Sequence, residues 1–268
     1  MKQTSAPLPA HADLLKGRRV LVTVGARGLG LAFGQGLAAA GDQVVLADLR
    51  AELAEAAAAA LRDQGLAVWA EPLDLADAAS VRACAAAAVA RLGGLDGLDG
   101  LVNNGAVTDS GGRLAGDIDT DTDTDTWDRV MAVNVRGTGL MTQASQPALA
   151  ASGRGAVVNL ASDTALWGAP RLLAYVASKG AVIAMSRSPA RELGAQQITV
   201  NAIAPGLVEV EATQYVPAER HAHYRKQRAL QRGQLPEDVS GAVLYLLSDL
   251  ARFVTGQVLA VNGGFVMH

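Results

Sequence analysis

The chain has 268 residues, of which half are hydrophobic and only 4% are aromatic, and its formal net charge is -3. Its interior must therefore be built mainly from Ala, Val and Leu, which suits helices packed closely on a sheet. Because no basic face is visible, a nucleic-acid partner is not expected. One cysteine and four histidines give neither a disulfide framework nor a convincing metal site. With no signal-peptide pattern and no apolar run of ~18 residues, we expect a cytoplasmic protein with no membrane span.

Short runs rich in Val and Leu alternate with longer Ala-rich segments. The short runs predict seven strands: Arg19–Val24, Gln43–Asp48, Ala67–Glu71, Gly100–Asn103, Ala156–Leu160, Ile198–Ala202 and Gln257–Val261. The longer segments predict crossover helices: Leu29–Ala40, Ala51–Gln64, Asp77–Leu92, Thr126–Ala150, Leu172–Gly194 and Pro236–Leu247. This alternation predicts an α/β fold, a doubly wound seven-stranded parallel sheet with helices on both faces, that is, a Rossmann fold.

Two segments do not fit this alternation. Residues 1–17 carry Pro7, Pro9 and His11 without a continuous apolar stretch, and we expect a flexible amino-terminal arm followed by a single domain over residues 18–268. Residues Asp119–Thr126 alternate Asp with Thr. Because such a tract buries no apolar surface, we expect a solvated loop there.

The first predicted strand runs into a glycine-rich turn that opens a helix. Backbone N–H groups and the helix dipole at such a turn favour a pyrophosphate, although glycines also serve ordinary tight turns. The turn predicts dinucleotide contacts at Gly25, Arg27, Gly28, Leu29 and Gly30.

The second predicted strand ends at Asp48, 18 residues after Gly30. A carboxylate at this place can accept hydrogen bonds from the adenosine ribose hydroxyls and would repel a 2′-phosphate. It therefore favours NAD over NADP, whereas Arg27 and Arg50 are nearby cations that support the opposite choice. The alternative for Asp48 is a solvated carboxylate at a strand end.

Tyr175 and Lys179 are spaced i, i+4 on one face of a predicted helix. A nearby cation stabilises a phenolate, so the pair predicts an acid/base group that works near neutral pH. With four Tyr and four Lys in the chain, the chance expectation for this spacing is about 0.06. Ser162 lies thirteen residues earlier, at the end of the fifth strand, where its hydroxyl can hold a substrate oxygen. On its own it is more typical of a turn or cap serine.

From about Lys16 to His268 the chain resembles a classical short-chain dehydrogenase/reductase. The resemblance rests on motifs that occur in the family's order: the glycine-rich turn, Asp48, Asp74, Asn103-Asn104, Asn134, the Ser162/Tyr175/Lys179 set, Pro205-Gly206 and Val261-Asn262-Gly263-Gly264. It implies that Tyr175 is the general acid/base, that Lys179 activates it and binds the nicotinamide ribose, and that Ser162 orients the substrate. It also implies that Asn134 supports a proton-relay water.

The same resemblance implies a homotetramer and further cofactor contacts. These would be made by Leu49, Asp74, Leu75, Asn103, Gly105, Tyr175, Lys179, Pro205, Gly206 and Val208.

Three positions depart from the family's pattern. Val24 stands where the family has Gly, and because a β-branched residue tolerates positive φ poorly, we expect the turn to reshape around Gly25; weaker cofactor binding is the alternative. Gly105 precedes Ala106, where the family has Ala before Gly. Val210 replaces a Thr that bonds the nicotinamide amide, which leaves Thr213 as a substitute.

These observations predict an NAD(H)-dependent oxidoreductase that transfers hydride between a secondary alcohol and its ketone. A catalytically silent NAD-binding sensor and an NADP(H)-dependent carbonyl reductase are the alternatives. Leu166, Trp167 and Tyr215 suggest a hydrophobic or cyclic substrate under a lid formed by residues Leu207–Arg232, although ordinary core packing explains these side chains equally well.

Overall fold

In the structure, a computed structural model, residues 15, 17–94, 96–108 and 120–267 are described. Seven parallel strands form one sheet in the order β3-β2-β1-β4-β5-β6-β7. The strands are β1 (Arg19–Thr23), β2 (Gln43–Asp48), β3 (Val68–Pro72), β4 (Gly100–Asn103), β5 (Ala156–Leu160), β6 (Thr199–Pro205) and β7 (Val258–Val261). The predicted doubly wound parallel sheet is confirmed, and its strand order reverses between β1 and β4.

Helices connect the strands. They are α1 (Gly28–Ala39), α2 (Ala51–Arg62), α3 (Ala78–Arg91), α4 (Thr120–Met131), α5 (Thr138–Ala151), α6 (Thr164–Trp167), α7 (Leu173–Glu192), α8 (Ala218–Gln227) and α9 (Pro236–Leu247). A π-helical turn, Ala132–Gly137, joins α4 to α5. None of the described helices is long and apolar enough to span a membrane.

The two faces of the sheet bury separate apolar cores. Val20 and Val22 of β1 pack with residues of α1 and α9, whereas Leu21, between them, packs with residues of α3 and α5. Successive side chains of a strand point to opposite faces, so a strand buried on both sides must be continuously apolar. This is why the central strands could be recognised from short Val- and Leu-rich runs.

The prediction of a loop at Asp119–Thr126 is wrong for residues 120–126, which are the described part of this tract. Helix α4 begins at Thr120, and the single helix predicted for Thr126–Ala150 is instead α4, the π-helical turn and α5. Thr and Asp each cost at most about 0.7 kcal/mol in a helix. The buried Val130 anchors the end of α4, which lies against α7, and this packing outweighs the weak propensity of the tract.

The predicted arm, residues 1–17, falls mostly outside the described residues. Its last part is not detached, because Leu15 is buried in the core and the Gly17 N–H donates to the Gly41 carbonyl at 3.1 Å. Strand β6 extends three residues beyond its predicted end at Ala202, to Pro205. It therefore brings Pro205 and the following Gly206 to the carboxyl edge of the sheet.

Candidate active site

The carboxyl ends of β1, β4, β5 and β6 meet at the edge of the sheet where the strand order reverses. In open parallel sheets, ligands bind in the crevice at this point. The glycine-rich turn follows β1, Ser162 follows β5 and Gly206 follows β6. The fold thus brings the predicted cofactor and proton-transfer residues to one edge.

The glycine-rich turn is shaped to receive a pyrophosphate. Gly28 has φ +54° and begins α1, so the turn delivers the unpaired N–H groups of a helix amino terminus. A Cβ on Gly30 would lie 2.1 Å from the Val24 carbonyl oxygen. Only glycine fits there, and the start of α1 rests directly on the backbone of residue 24. Next to Gly28, Arg27 is exposed, whereas Leu29 is partly buried against the core.

Val24 keeps the left-handed backbone conformation, with φ +52°. The expectation that the turn reshapes around Gly25 is therefore wrong. A β-branched residue in this region costs about 1–3 kcal/mol and persists only where its surroundings determine it. Here the Gly25 N–H donates to the Ala47 carbonyl at 3.1 Å, and a Cβ on Gly25 would lie 2.9 Å from Leu46 Cβ.

Asn104, which the sequence analysis did not assign a role, holds this turn from the neighbouring strand. Its Nδ2 donates to the carbonyls of Thr23 (3.2 Å) and Val24 (3.1 Å). The Thr23 hydroxyl in turn accepts the backbone N–H groups of Asn104 and Gly105. The Asn103 side chain is buried and donates to Thr142 and Asn159 in the interior. It therefore ties β4 to β5 and α5.

Asp48 is almost fully buried at the end of β2, with 4% exposure. Its carboxylate accepts the backbone N–H groups of Ala26 (3.2 Å) and Arg50 (3.0 Å), which fixes it beside the glycine-rich turn. The side chains of Leu49, Arg27 and Arg50 around it are exposed. A carboxylate held this way can meet ribose hydroxyls, while the two arginines supply positive charge next to it.

The loop after β3 also lies near the glycine-rich turn. Asp74 Oδ1 accepts the Ala76 N–H at 2.8 Å, and the Asp74 N–H donates to Ser80. The Leu75 side chain is buried and reaches Gly105, where an added Cβ would lie 2.2 Å from Leu75 Cδ1. Of the predicted cofactor contacts, Leu75 and Gly105 therefore pack directly against each other.

Tyr175 and Lys179 lie one turn apart on α7, as predicted. Lys179 Nζ is 5.6 Å from the centroid of the Tyr175 ring and donates to the Leu160 carbonyl at 2.5 Å. The lysine is buried, whereas the tyrosine is half-buried. Burial lowers the pKa of Lys179 to about 8, because desolvation penalises the ammonium. Around neutral pH the tyrosine ring therefore has a buried cation beside it.

Asn134 lies in the π-helical turn and is fully buried. Its Oδ1 accepts the Val107 N–H at 2.8 Å, while its Nδ2 donates to the Val107 carbonyl (2.9 Å) and to Ser178 Oγ (3.0 Å). Ser178 donates to the Tyr175 carbonyl. Asn134 thus fixes the helical turn that carries the Tyr175/Lys179 pair, and π-helical turns occur often at functional sites.

Ser162 lies two residues beyond Leu160, whose carbonyl binds Lys179. Its side chain has 7% exposure, and its Oγ accepts hydrogen bonds from the Thr164 hydroxyl (2.9 Å) and backbone N–H (3.3 Å). Thr164 thus holds the Ser162 oxygen from one side, which leaves the serine proton available for donation to another oxygen.

The segment after β6 covers the crevice. Pro205 ends β6, Gly206 follows it, and the buried Val208 pairs with Gln234. The Thr213 hydroxyl lies within hydrogen-bond distance of the carbonyls of Val208 (2.7 Å) and Val210 (2.9 Å), so it closes its own turn instead of substituting for the threonine that Val210 replaces. The hydroxyl groups of Tyr215 and Thr108 lie 3.2 Å apart and connect this segment to the loop after β4.

Two of the residues expected to line an apolar substrate pocket pack within the protein. Trp167 makes edge contacts with Tyr224 and Phe265, and Leu166 packs on the core beneath β5 and β6. A cavity of about 880 Å³ lies between α1, the segment after β6, α8 and α9, lined among others by Gly28, Val210 and Arg225. It borders the glycine-rich turn and does not include Tyr175 among its lining residues.

A buried polar cluster behind Gly206 was missed by the sequence analysis. Asp163 has no exposed surface, accepts the Tyr224 hydroxyl at 3.1 Å, and burial raises its pKa to about 7. Arg228 lies over the Tyr224 ring at 5.2 Å and donates to the Leu207 carbonyl. Any Cβ on Gly206 would lie within 3.1 Å of Asp163, Arg228 and Gln234. The cluster therefore fixes the segment after β6 against the loop that carries Ser162.

Comparison with known proteins agrees with this arrangement. Residues 24–266 match the family model described as enoyl-(acyl carrier protein) reductase. The chain is 35% identical to 2-(S)-hydroxypropyl-CoM dehydrogenase 3 of Xanthobacter autotrophicus over 94% of this chain and 98% of that one. It is 39% identical to the inactive 2-(S)-hydroxypropyl-CoM dehydrogenase 2 of the same organism, over 84% and 95%.

A solved structure shows the same fold. A gluconate 5-dehydrogenase from Burkholderia cenocepacia, in complex with NADP and tartrate, is similar with a TM-score of 0.86 and 31% identity, over 96% of this chain and 98% of that one. The family match covers nearly all of the residues that build the crevice. The chain therefore belongs to the short-chain dehydrogenase/reductase family of nucleotide-dependent oxidoreductases.

Proposed function

We propose that the protein is an NAD(H)-dependent oxidoreductase that interconverts a secondary alcohol and its ketone. The observation that carries the proposal is the buried Lys179 ammonium beside the Tyr175 ring, at the carboxyl edge of the sheet. Bound NAD supplies a hydride acceptor and, when reduced, a hydride donor. The residues of the chain have to bind it, orient the substrate and move one proton.

Alcohol oxidation requires that the hydroxyl proton leaves as the carbon–hydrogen bond breaks. The Tyr175 phenolate accepts this proton, and the Lys179 cation favours the phenolate form. Ser162, held by Thr164, donates a hydrogen bond to the substrate oxygen. In the reduction of a ketone the steps reverse, and Tyr175 protonates the developing alkoxide. Asn134 keeps the turn of α7 that carries both residues in place.

The preference for NAD rests on Asp48. Its carboxylate is fixed by two backbone N–H groups next to the glycine-rich turn, so a 2′-phosphate would bring negative charge against a nearly buried anion. The glycine-rich turn also fits a dinucleotide, because the absence of a Cβ on Gly30 lets the start of α1 lie directly against the backbone of residue 24.

The substrate we propose is a hydrophobic or cyclic secondary alcohol. Support comes from Tyr215, an exposed aromatic residue of the segment after β6, whose hydroxyl lies 3.2 Å from that of Thr108 in the loop after β4. The similar dehydrogenase from Xanthobacter autotrophicus carries in its name a 2-hydroxypropyl group, which is a secondary alcohol.

Initial rates with a panel of alcohols and ketones, each with NAD(H) and NADP(H), test the proposal. We expect turnover of secondary alcohols and ketones with a higher kcat/KM for NAD(H). Turnover with NADP(H) alone would favour the second candidate, a carbonyl reductase, which the exposed Arg27 and Arg50 beside Asp48 support. Tight NADH binding without turnover of any substrate would favour a silent sensor; one of the similar proteins is named as an inactive dehydrogenase.

A further inference from the structure

Two departures from the family's sequence pattern meet in space. Val24 occupies the first position of the glycine-rich turn, and Gly105 lies in the loop after β4. A Cβ added to Gly105 would lie 3.0 Å from Val24 Cγ2 and 2.2 Å from Leu75 Cδ1. The Val24 side chain therefore takes part of the space that an alanine at position 105 needs.

The backbone of residue 24 has little freedom to give way. Asn104 Nδ2 binds its carbonyl at 3.1 Å, and the next residue, Gly25, donates to Ala47 and packs against Leu46. The start of α1 rests on the same carbonyl, because a Cβ on Gly30 would lie 2.1 Å from it. A shift of residue 24 would thus move the helix amino terminus that receives the pyrophosphate.

The Val24 side chain is also restricted. A β-branched side chain has few χ1 rotamers, and here it sits on a residue with φ +52°. Leu75 has more freedom, since its clashing atom is the end of a longer chain. Of the two neighbours of Gly105, the valine consequently has fewer ways to move aside.

We propose that Val24 and Gly105 are a matched pair of positioning residues that sets the geometry of the dinucleotide turn. The missing Cβ at position 105 makes room for the valine, and the valine fills the gap against Leu75 that the glycine leaves. An alanine at position 105 is therefore disfavoured as long as residue 24 is a valine. This inference rests on the proposed function in taking NADH as the ligand of the turn.

A double-mutant cycle tests the pair. The variants are Gly105→Ala, Val24→Gly and the double variant, with Gly241→Ala on α9 as a matched control, because a Cβ there meets nothing within 4 Å. NADH Kd and the apo unfolding midpoint are measured for each. We expect Gly105→Ala to raise the NADH Kd by about tenfold or more, and the double variant to return it to within about threefold of the parent, since contacting residues couple by such factors.

The NADH Kd and the apo unfolding midpoint together distinguish a change in the geometry of the turn from a general loss of stability. General loss of the fold lowers the apo unfolding midpoint, whereas a change in the geometry of the turn raises the NADH Kd of a protein that is still folded at the assay temperature. If Gly105→Ala does not fold, the double variant must still fold and bind NADH. The proposal is overturned if the NADH Kd of the double variant rises by the product of the factors measured for the two single variants. It is also overturned if the double variant does not fold.

Failure of the proposed function gives a different result. If the parent protein binds no NADH, the dinucleotide assignment fails, and the cycle is read from the apo unfolding midpoints alone. Recovery of the midpoint in the double variant then supports the pair, whereas additive losses contradict it.

Discussion

On one side of the crevice, Tyr175 and Lys179 lie one turn apart on a regular helix, and Asn134 ties this turn to the loop after β4. On the other side, the glycine-rich turn contains a valine at φ +52° that is held by Asn104 and accommodated by Gly105. The Ser162, Tyr175 and Lys179 set resembles the family's pattern without a departure. On the dinucleotide side a valine adopts the left-handed backbone conformation in place of a glycine, so changes on the two sides should affect different steps.

The largest effect in this comparison is expected from the proton-transfer side. Lys179→Met removes the buried ammonium and keeps the volume of the side chain. We expect kcat to fall by roughly 10²–10³, because the phenolate of Tyr175 loses its cation, while the unfolding midpoint is not lowered greatly, since the cost of burying a charge is also removed. Steady-state kinetics and thermal unfolding are the measurements. Unchanged kcat in a folded variant would contradict the role of Lys179.

A smaller effect, in cofactor choice, is expected from the dinucleotide side. Asp48→Asn removes the negative charge that opposes a 2′-phosphate while keeping an oxygen acceptor. We expect the ratio of kcat/KM for NAD to that for NADP to fall by about tenfold, with kcat for the preferred cofactor little changed. Asp63→Asn, an exposed carboxylate at the end of α2, is the control. If Asp48→Asn and Asp63→Asn have the same NAD-to-NADP ratio of kcat/KM, Asp48 does not bind the adenosine ribose.

The smallest effect is expected from the buried cluster of Asp163, Tyr224 and Arg228, which fixes the segment after β6 against the loop that carries Ser162. Burial raises the pKa of Asp163 from 3.8 to about 7, so the folded protein binds more protons than the unfolded chain between these values. The stability it contributes is present at low pH and is lost as the pH rises through about 7. Asp163→Asn keeps the acceptor for Tyr224 and removes the buried charge.

We therefore expect the unfolding midpoint of Asp163→Asn, relative to the parent, to be higher by several °C at pH 8.5 than at pH 5.5. Thermal unfolding at the two pH values measures this difference. The exposed Asp63→Asn should show no such dependence. A pH-independent effect of Asp163→Asn would mean that the carboxyl group does not titrate within the folded cluster.

The fold was predictable because its physical signal is local. Strand β2 is buried on both sides, and its residues 44–47 form an unbroken apolar run. The i, i+4 spacing of Tyr175 and Lys179 placed both residues on one face of a helix. Helix α8 was missed for the opposite reason. Of its residues only Tyr224 is buried, so the segment carries no apolar periodicity.

The parts of the site that escaped prediction depend on contacts between distant segments. Nothing in the spacing of the glycine-rich turn shows that Asn104 would bind the Val24 carbonyl, or that Gly105 would receive the valine side chain. The direction of Asn103, into the interior, depends on Thr142 and Asn159, which lie 39 and 56 residues away in the chain. The described part of the Asp-Thr tract, residues 120–126, lies in α4, whose end is anchored by the buried Val130, and propensity alone does not reveal this.

The proton-transfer role of Tyr175 is tested most directly by Tyr175→Phe, with Tyr245→Phe on α9 as the matched control. Turnover with the best substrate of the panel and the NADH Kd are measured on both variants. The account predicts that kcat/KM of Tyr175→Phe falls by about 10³ while the NADH Kd stays within about twofold of the parent. Retention of kcat/KM within tenfold of the parent, in a variant that binds NADH normally, would contradict the account.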